Sequence, residues 1–206
     1  MKALLKPLSL TLALSSLSLF QSAYAQDEET SVVDKTNAFY FALGRIGIDD
    51  EVAFMEGIED TATYFRFGWE GQSDAWLYGA GLSGYLYSDN EGFSVLVEEE
   101  WSNDVSTAGS DANAFNFYAE GGYSHDLSEF AFIDILGGVE MVLISERSVS
   151  NCSNCPSEDI DVGSGFFVAP RLRLMAANGF TFAVTYTQYL TGDTESAFAA
   201  NFGWTY

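Results

Sequence analysis

The chain has 206 residues, 30 acidic side chains against 8 basic ones, and a formal charge of −22 at pH 7. A nucleic acid would be repelled by that charge, whereas divalent cations or a basic partner would be attracted to it. Aromatic residues make up 16% of the chain, which excludes a disordered protein, and no apolar run after residue 20 is long enough for a membrane-spanning helix.

Residues 1–25 read as a cleaved secretory signal peptide. Lys2 and Lys6 form a basic start, 8–20 is an apolar and hydroxyl-rich run, and Ala23-Tyr24-Ala25 is a small-x-small cleavage site before Gln26-Asp27-Glu28-Glu29. The run is too short to cross a bilayer as a helix.

From Asn37 onward the dominant period is two. Candidate strands cover 37–48, 61–70, 75–87, 92–101, 113–124, 130–146, 164–177, 180–190 and 195–206. In 61–70, Thr63, Phe65, Phe67 and Trp69 share one face, and Tyr64, Arg66, Gly68 and Glu70 the other. In 130–146, Ile133, Ile135, Val139, Met141 and Leu143 oppose Asp134, Gly138 and Glu140. In 164–177, Phe166, Val168, Leu172 and Leu174 oppose Arg171 and Arg173. Asn178-Gly179 predicts a two-residue hairpin turn, because both positions tolerate positive φ. Tight turns alternating with the polar loops 49–60, 102–112 and 147–163 predict an all-β, antiparallel up-and-down barrel.

Nine candidates conflict with the even strand number of a closed single-chain barrel. Either one segment does not span, or 51–58 conceals a tenth strand. Segment 92–101 is suspect, because Glu99 falls between Val97 and Trp101 on its apolar face. Eight strands suit the length best, and ten is the alternative.

Alternation alone leaves the facing open. A soluble ligand-binding barrel turns its apolar face inward, whereas a transmembrane barrel turns it toward lipid and keeps a polar lumen. The second is favoured by polar faces that mix Gly, Ser, Thr and Tyr with mid-strand Arg and Glu. It is also favoured by aromatic residues near strand ends, among them Trp69, Trp76, Tyr78, Trp101, Trp204 and Tyr206.

The exported precursor, the period-two strands and the terminal "FAANFGWTY" resemble the small Gram-negative outer-membrane barrels of the OmpA/OmpX type, over 37–206. The resemblance implies a short periplasmic segment at 26–36 and a barrel embedded in outer-membrane lipid and lipopolysaccharide. It also implies that Phe198, Phe202, Trp204 and Tyr206 signal to the barrel-assembly machinery; the usual last residue in that family is Phe, and this chain has Tyr206.

With the polar faces inward, Arg66, Glu70, Glu120, Asp134, Glu140, Arg171 and Arg173 are expected to form a charge network that fills the lumen. Cys152 and Cys155, the only cysteines, are expected to pair as a disulfide at a loop tip; free redox thiols and a zinc site are the alternatives, the latter needing two further ligands. The acidic loop 49–60 offers a possible site for divalent cations but lacks the D-x-D-x-D-G spacing of a calcium loop. Gly79, Gly81 and Gly84 match G-x-G-x-x-G, but a strand follows where a nucleotide site needs a helix, so these glycines are expected to make room for lumen side chains. His125 and Ser128 in "SHDLSE" are the only basis for a hydrolase.

These readings lead to a non-enzymatic outer-membrane barrel, without a cofactor, in a structural or surface-interaction role such as envelope integrity or adhesion. A small cation-preferring channel, a lipid A-modifying enzyme and a soluble ligand-binding barrel are the other readings. No motif names an external partner.

Overall fold

The computed structural model describes residues 35–91, 93–94, 96–98, 105–107, 110–149 and 157–206. Residues 1–34, Glu99, Trp101, Cys152 and Cys155 lie outside the described residues, and with them the signal-peptide and disulfide assignments. The elements are β1 (Lys35–Ile48), α1 (Asp50–Glu56), β2 (Thr61–Ser73), β3 (Trp76–Tyr87), β4 (Leu96–Glu98), β5 (Val105–Thr107), β6 (Ser110–Ser128), β7 (Ala131–Val149), β8 (Ser157–Asp159), β9 (Phe166–Met175), β10 (Phe180–Tyr189) and β11 (Thr194–Thr205).

Eight of the strands close a ring. The order is β6-β3-β2-β1-β11-β10-β9-β7, and β7 pairs with β6 to complete it. Every pairing in the ring is antiparallel. The terminal strand β11 zips onto β1, with Phe41 opposite Phe202 and Ala42 opposite Asn201.

Parity is thereby resolved. Of segment 92–101 the described residues are 93–94 and 96–98; the latter form β4, which pairs with β5 in a separate two-stranded ribbon and is not a member of the ring. Nor does 51–58 hide a tenth strand. It holds the helix α1, whose first turn is capped by Asp49 and whose end is closed by Gly57 at φ +67°. The extra strand β8 leans on the end of β7, outside the ring.

The hairpin at Asn178-Gly179 is longer than its dipeptide signal suggests. Ala176 donates to the Phe180 carbonyl and Gly179 to the Ala176 carbonyl, so three residues, 177–179, form the loop. Gly179 at φ +84° is then the left-handed third residue.

The structure turns the apolar face outward. Phe39, Phe41, Leu43, Phe67, Leu82, Phe115, Ile135, Leu172, Phe198 and Phe202 are all exposed on the outer wall, while Arg66, Glu70, Asp134, Glu140 and Arg171 are buried inside. Water would penalise such an exterior, and the interior would be unstable unless its charges were paired.

The two ends of the barrel differ. The tight turns 74–75, 129–130 and 176–179 lie at one end, together with the start of β1 and the end of β11. The long connections lie at the other, where α1, β4, β5 and β8 are attached. Aromatic side chains crowd the turn end of the outer wall. Phe39 stacks on Tyr206 with centroids 5.5 Å apart, Trp69 meets Tyr78 at 5.5 Å and Trp76 meets Tyr123 at 5.7 Å.

The lumen also changes along its length. Toward the loop end its filling is apolar, from Ile46 and Ile48 of β1, Tyr64, Phe167, and Ile160 and Val162 of the connection that follows β8. Strand β1 accordingly turns Ala42, Ile46 and Ile48 into this cluster, while Tyr40, nearer the turn end, faces the polar part of the lumen.

Candidate functional site

The seven charged residues singled out from the strand faces all lie inside the barrel, and ion pairs gather them into two tiers. Nearest the turn end, Arg171 meets Glu70 and Asp134 at 2.7 Å each. Arg173 meets the same Asp134 at 3.1 Å and is held further by Gln72 at 3.0 Å and Ser124 at 3.1 Å. Two arginines face two carboxylates here, and Asp134 is fully buried between them.

The next tier has one arginine for two carboxylates. Arg66 reaches Glu120 through Nη1 and Glu140 through Nη2, both at 3.0 Å. Its guanidinium lies 4.0 Å from the Tyr118 ring centroid and 4.9 Å from that of Phe167, which adds a cation–π contribution. Neutral donors serve the remaining carboxylate lone pairs. Tyr40 donates to Glu120 at 2.9 Å, Tyr189 to Glu140 at 3.2 Å, and Tyr85 also donates to Glu140. Tyr40 and Tyr118 share a further hydrogen bond of 2.6 Å. A buried carboxylate without such donors would carry a large desolvation cost.

Glycines shape this tier. A Cβ on Gly68 would collide with the Tyr118 hydroxyl, and one on Gly81 would lie 2.5 Å from it as well as striking the Phe67 carbonyl. Gly81 is the middle glycine of the G-x-G-x-x-G run, so at this position the run serves the packing of a lumen tyrosine.

A cavity of about 20 Å³, lined by Tyr40, Glu70, Arg171, Arg173 and Asn201 among others, remains toward the turn end, room for about one water molecule. An eight-stranded ring is wide enough for side chains to fill.

A fourth buried arginine, at the loop end, escaped the strand-face reading. Arg147 donates to the Glu56 carbonyl at 2.7 Å, pairs with Asp89 at 3.2 Å, lies 3.6 Å from Glu158 and covers the Phe93 ring at 3.8 Å. It thereby ties α1, the segment after β3 and β8 together. Arg147 opens the stretch read as the polar loop 147–163, but β7 runs on to Val149, and strict alternation along it would place Arg147 outside with Met141 and Leu143. The register shifts between Phe115 and Asn116, where Ile144 and Val142 are their partners and Leu143 is the extra residue. That bulge reverses the facing of the remaining strand and turns Arg147 inward. The tyrosine donors were also missed, although their signal was visible: Tyr40, Tyr85 and Tyr118 occupy inward positions of alternating strands.

The other candidates lie elsewhere. His125 is exposed at the turn end of β6, opposite Ile133, and Ser128 pairs with Ala131 beyond a second bulge. Among the described residues, no group of three or more His, Cys, Asp or Glu side chains is placed to hold a metal ion. Phe198, Phe202, Trp204 and Tyr206 form an exposed row on the outer wall of β11 and just beyond its end.

A closed ring of eight strands with a charged interior and an apolar exterior has a counterpart among solved structures. The fold is that of Neisserial surface protein A. The likeness has a TM-score of 0.53 at 7% identity and covers 83% of this chain and 98% of that one, so it concerns architecture alone. Ail, the attachment invasion locus protein of Yersinia pestis, aligns with a TM-score of 0.49 at 12% identity, over 84% of this chain and 99% of that one. No protein-family model and no curated protein matches the sequence.

Proposed function

We propose that this protein is a non-enzymatic outer-membrane barrel that serves as a closed anchor and presents its loop end at the cell surface, in a structural or surface-interaction role. One observation carries the reading: large apolar side chains cover the outer wall while the charged groups are buried and paired within. Only a lipid environment makes that distribution favourable. Short turns face the periplasm and long connections the exterior in such barrels, which places the aromatic girdle of Trp76, Tyr78 and Trp204 at the periplasmic interface.

In this reading residues 1–25 direct export, and the exposed row Phe198, Phe202, Trp204 and Tyr206 presents β11 to the assembly machinery before it pairs with β1. The two charged tiers and the apolar cluster above them close the lumen, so the barrel holds the loop end in place and does not conduct. The likeness to a barrel named as a surface protein agrees with an exposed loop end.

The test is fractionation combined with an unboiled gel. The protein is expected in the outer-membrane fraction, migrating differently before and after boiling. Recovery as a soluble periplasmic protein overturns the reading. Conductance steps in planar bilayers would replace the closed anchor with a channel. Loss of a lipid A modification in His125→Ala or Ser128→Ala would replace it with an enzyme.

A further inference from the structure

Helix α1 holds an apolar pair outward at the loop end. Phe54 is 79% exposed and Met55 68%, the highest values for large apolar side chains among the described residues. Exposure is ordinary for the strands of the wall, but α1 is not part of the wall. Its buried Ala53 belongs to the apolar cluster at the loop end, and Val52 packs against it. Phe54 and Met55 therefore project from the opposite side of the helix, where contact with water forgoes the gain that burial would bring.

The pair is rigidly presented. Asp49 accepts from the Glu51 and Val52 amides at the start of α1, and Gly57 returns its own amide to Ala53 and Phe54 at the end. The buried Arg147 grips the Glu56 carbonyl from beneath at 2.7 Å. A pre-ordered apolar anchor point costs a partner less conformational entropy than a loose loop would.

Charge selects the partner. Residues 49–60 carry Asp49, Asp50, Glu51, Glu56, Glu59 and Asp60 and no lysine or arginine. Arg147, the cation beneath them, is buried and engaged by Asp89 and Glu158. An anionic lipid surface would be repelled by this segment, and a second copy would bring the same acids to the contact. A cationic chain would be drawn to it.

We infer that the outward face of α1, Phe54 and Met55 within their acidic surround, is a docking site for a cationic protein segment that carries an apolar anchor. The inference rests on the surface orientation proposed above and names the chemistry of the partner. Attraction by the acids brings the segment in, and burial of its apolar side chain against Phe54 and Met55 gives the preference.

The full chain in phosphatidylcholine nanodiscs is titrated with two peptides of equal charge, one of lysine and glycine and one of lysine and leucine, with empty discs as the blank. The lysine–leucine peptide is expected to bind about tenfold more tightly or better. That preference is expected to vanish in the Phe54→Ser/Met55→Ser variant, and the affinity of both peptides to fall with added salt. Equal affinities, or a preference unchanged in the double variant, overturn the proposal. So does a dye on Met55→Cys that moves into lipid when anionic vesicles are added, because the helix would then be a membrane contact. Labelling of Met55→Cys on intact cells by a membrane-impermeant maleimide, with the parent chain as blank, tests the orientation separately. Failure there with the peptide preference intact in discs removes the surface reading and not the docking site.

Discussion

Two arginines meet two carboxylates at the turn end of the lumen, whereas a single arginine meets two carboxylates in the tier above. Asp134 has both Arg171 and Arg173, so either can be lost without isolating the acid. Among the described residues Arg66 has no substitute, because it is the only cation there that bridges Glu120 and Glu140. Tyrosine hydroxyls hold that upper tier together in place of a second arginine. The comparison teaches that similar barrel filling can be redundant at one level and depend on one residue at the next.

The sharpest way to break the contrast is Arg66→Met, which leaves two buried carboxylates facing each other. It is expected to cost about 3–5 kcal/mol, read as a large drop in the urea midpoint of the refolded barrel by gel shift. Gly68→Ala attacks the same tier through Tyr118. The new methyl displaces the hydroxyl and its bond to Tyr40, at an expected cost of about 3 kcal/mol, with the midpoint shifting in the same assay. Arg173→Met, at the redundant level, is expected to cost about 2 kcal/mol, because Arg171 still holds Asp134 and Glu70. A loss from Arg173→Met as large as that from Arg66→Met would erase the distinction.

Glu120→Gln sharpens the picture from the other side. The amide can donate to Tyr40, whose hydroxyl can turn and donate to Tyr118, so these contacts are kept, and removal of one excess charge offsets the acceptor that the Tyr118 proton loses. The expected change is below about 1 kcal/mol. Smallest for the barrel itself is Arg147→Met, whose partner Asp89 is partly open to solvent. The unfolding midpoint should hardly move, while hydrogen exchange at 50–58 should speed up as α1 loses its grip on the barrel.

Much of this architecture was legible in the alternation of individual strands. Arg171 and Arg173 face away from Leu172 and Leu174 in the sequence, and the structure puts all four on the sides that alternation assigns. What alternation could not show was any departure from it. Leu143 and Ile144 read as one more pair of an unbroken strand, yet one extra residue there carries Arg147 from the wall into the interior. Segment 92–101 carried a strand-like pattern but offered Glu99 on its apolar side, and its described strand β4 is not part of the ring. Residues 51–58 had the composition of an acidic loop, and the Asp49 cap and Gly57 close were the local signals of α1. The pairing of specific charges required the register between strands far apart in sequence, such as Arg66 with Glu140, and no single strand contains that information.

The central claim is the facing of the wall, and β11 reports on it residue by residue. A fluorophore placed in turn at positions 197–204 of the reconstituted barrel can be quenched by brominated lipid chains. Strong quenching is expected at 198, 200, 202 and 204 and weak quenching at 197, 199, 201 and 203, following the exposure of Phe198, Phe202 and Trp204 and the burial of Ala197, Ala199 and Asn201. A flat profile, or one with its maxima at 197, 199, 201 and 203, would contradict the account.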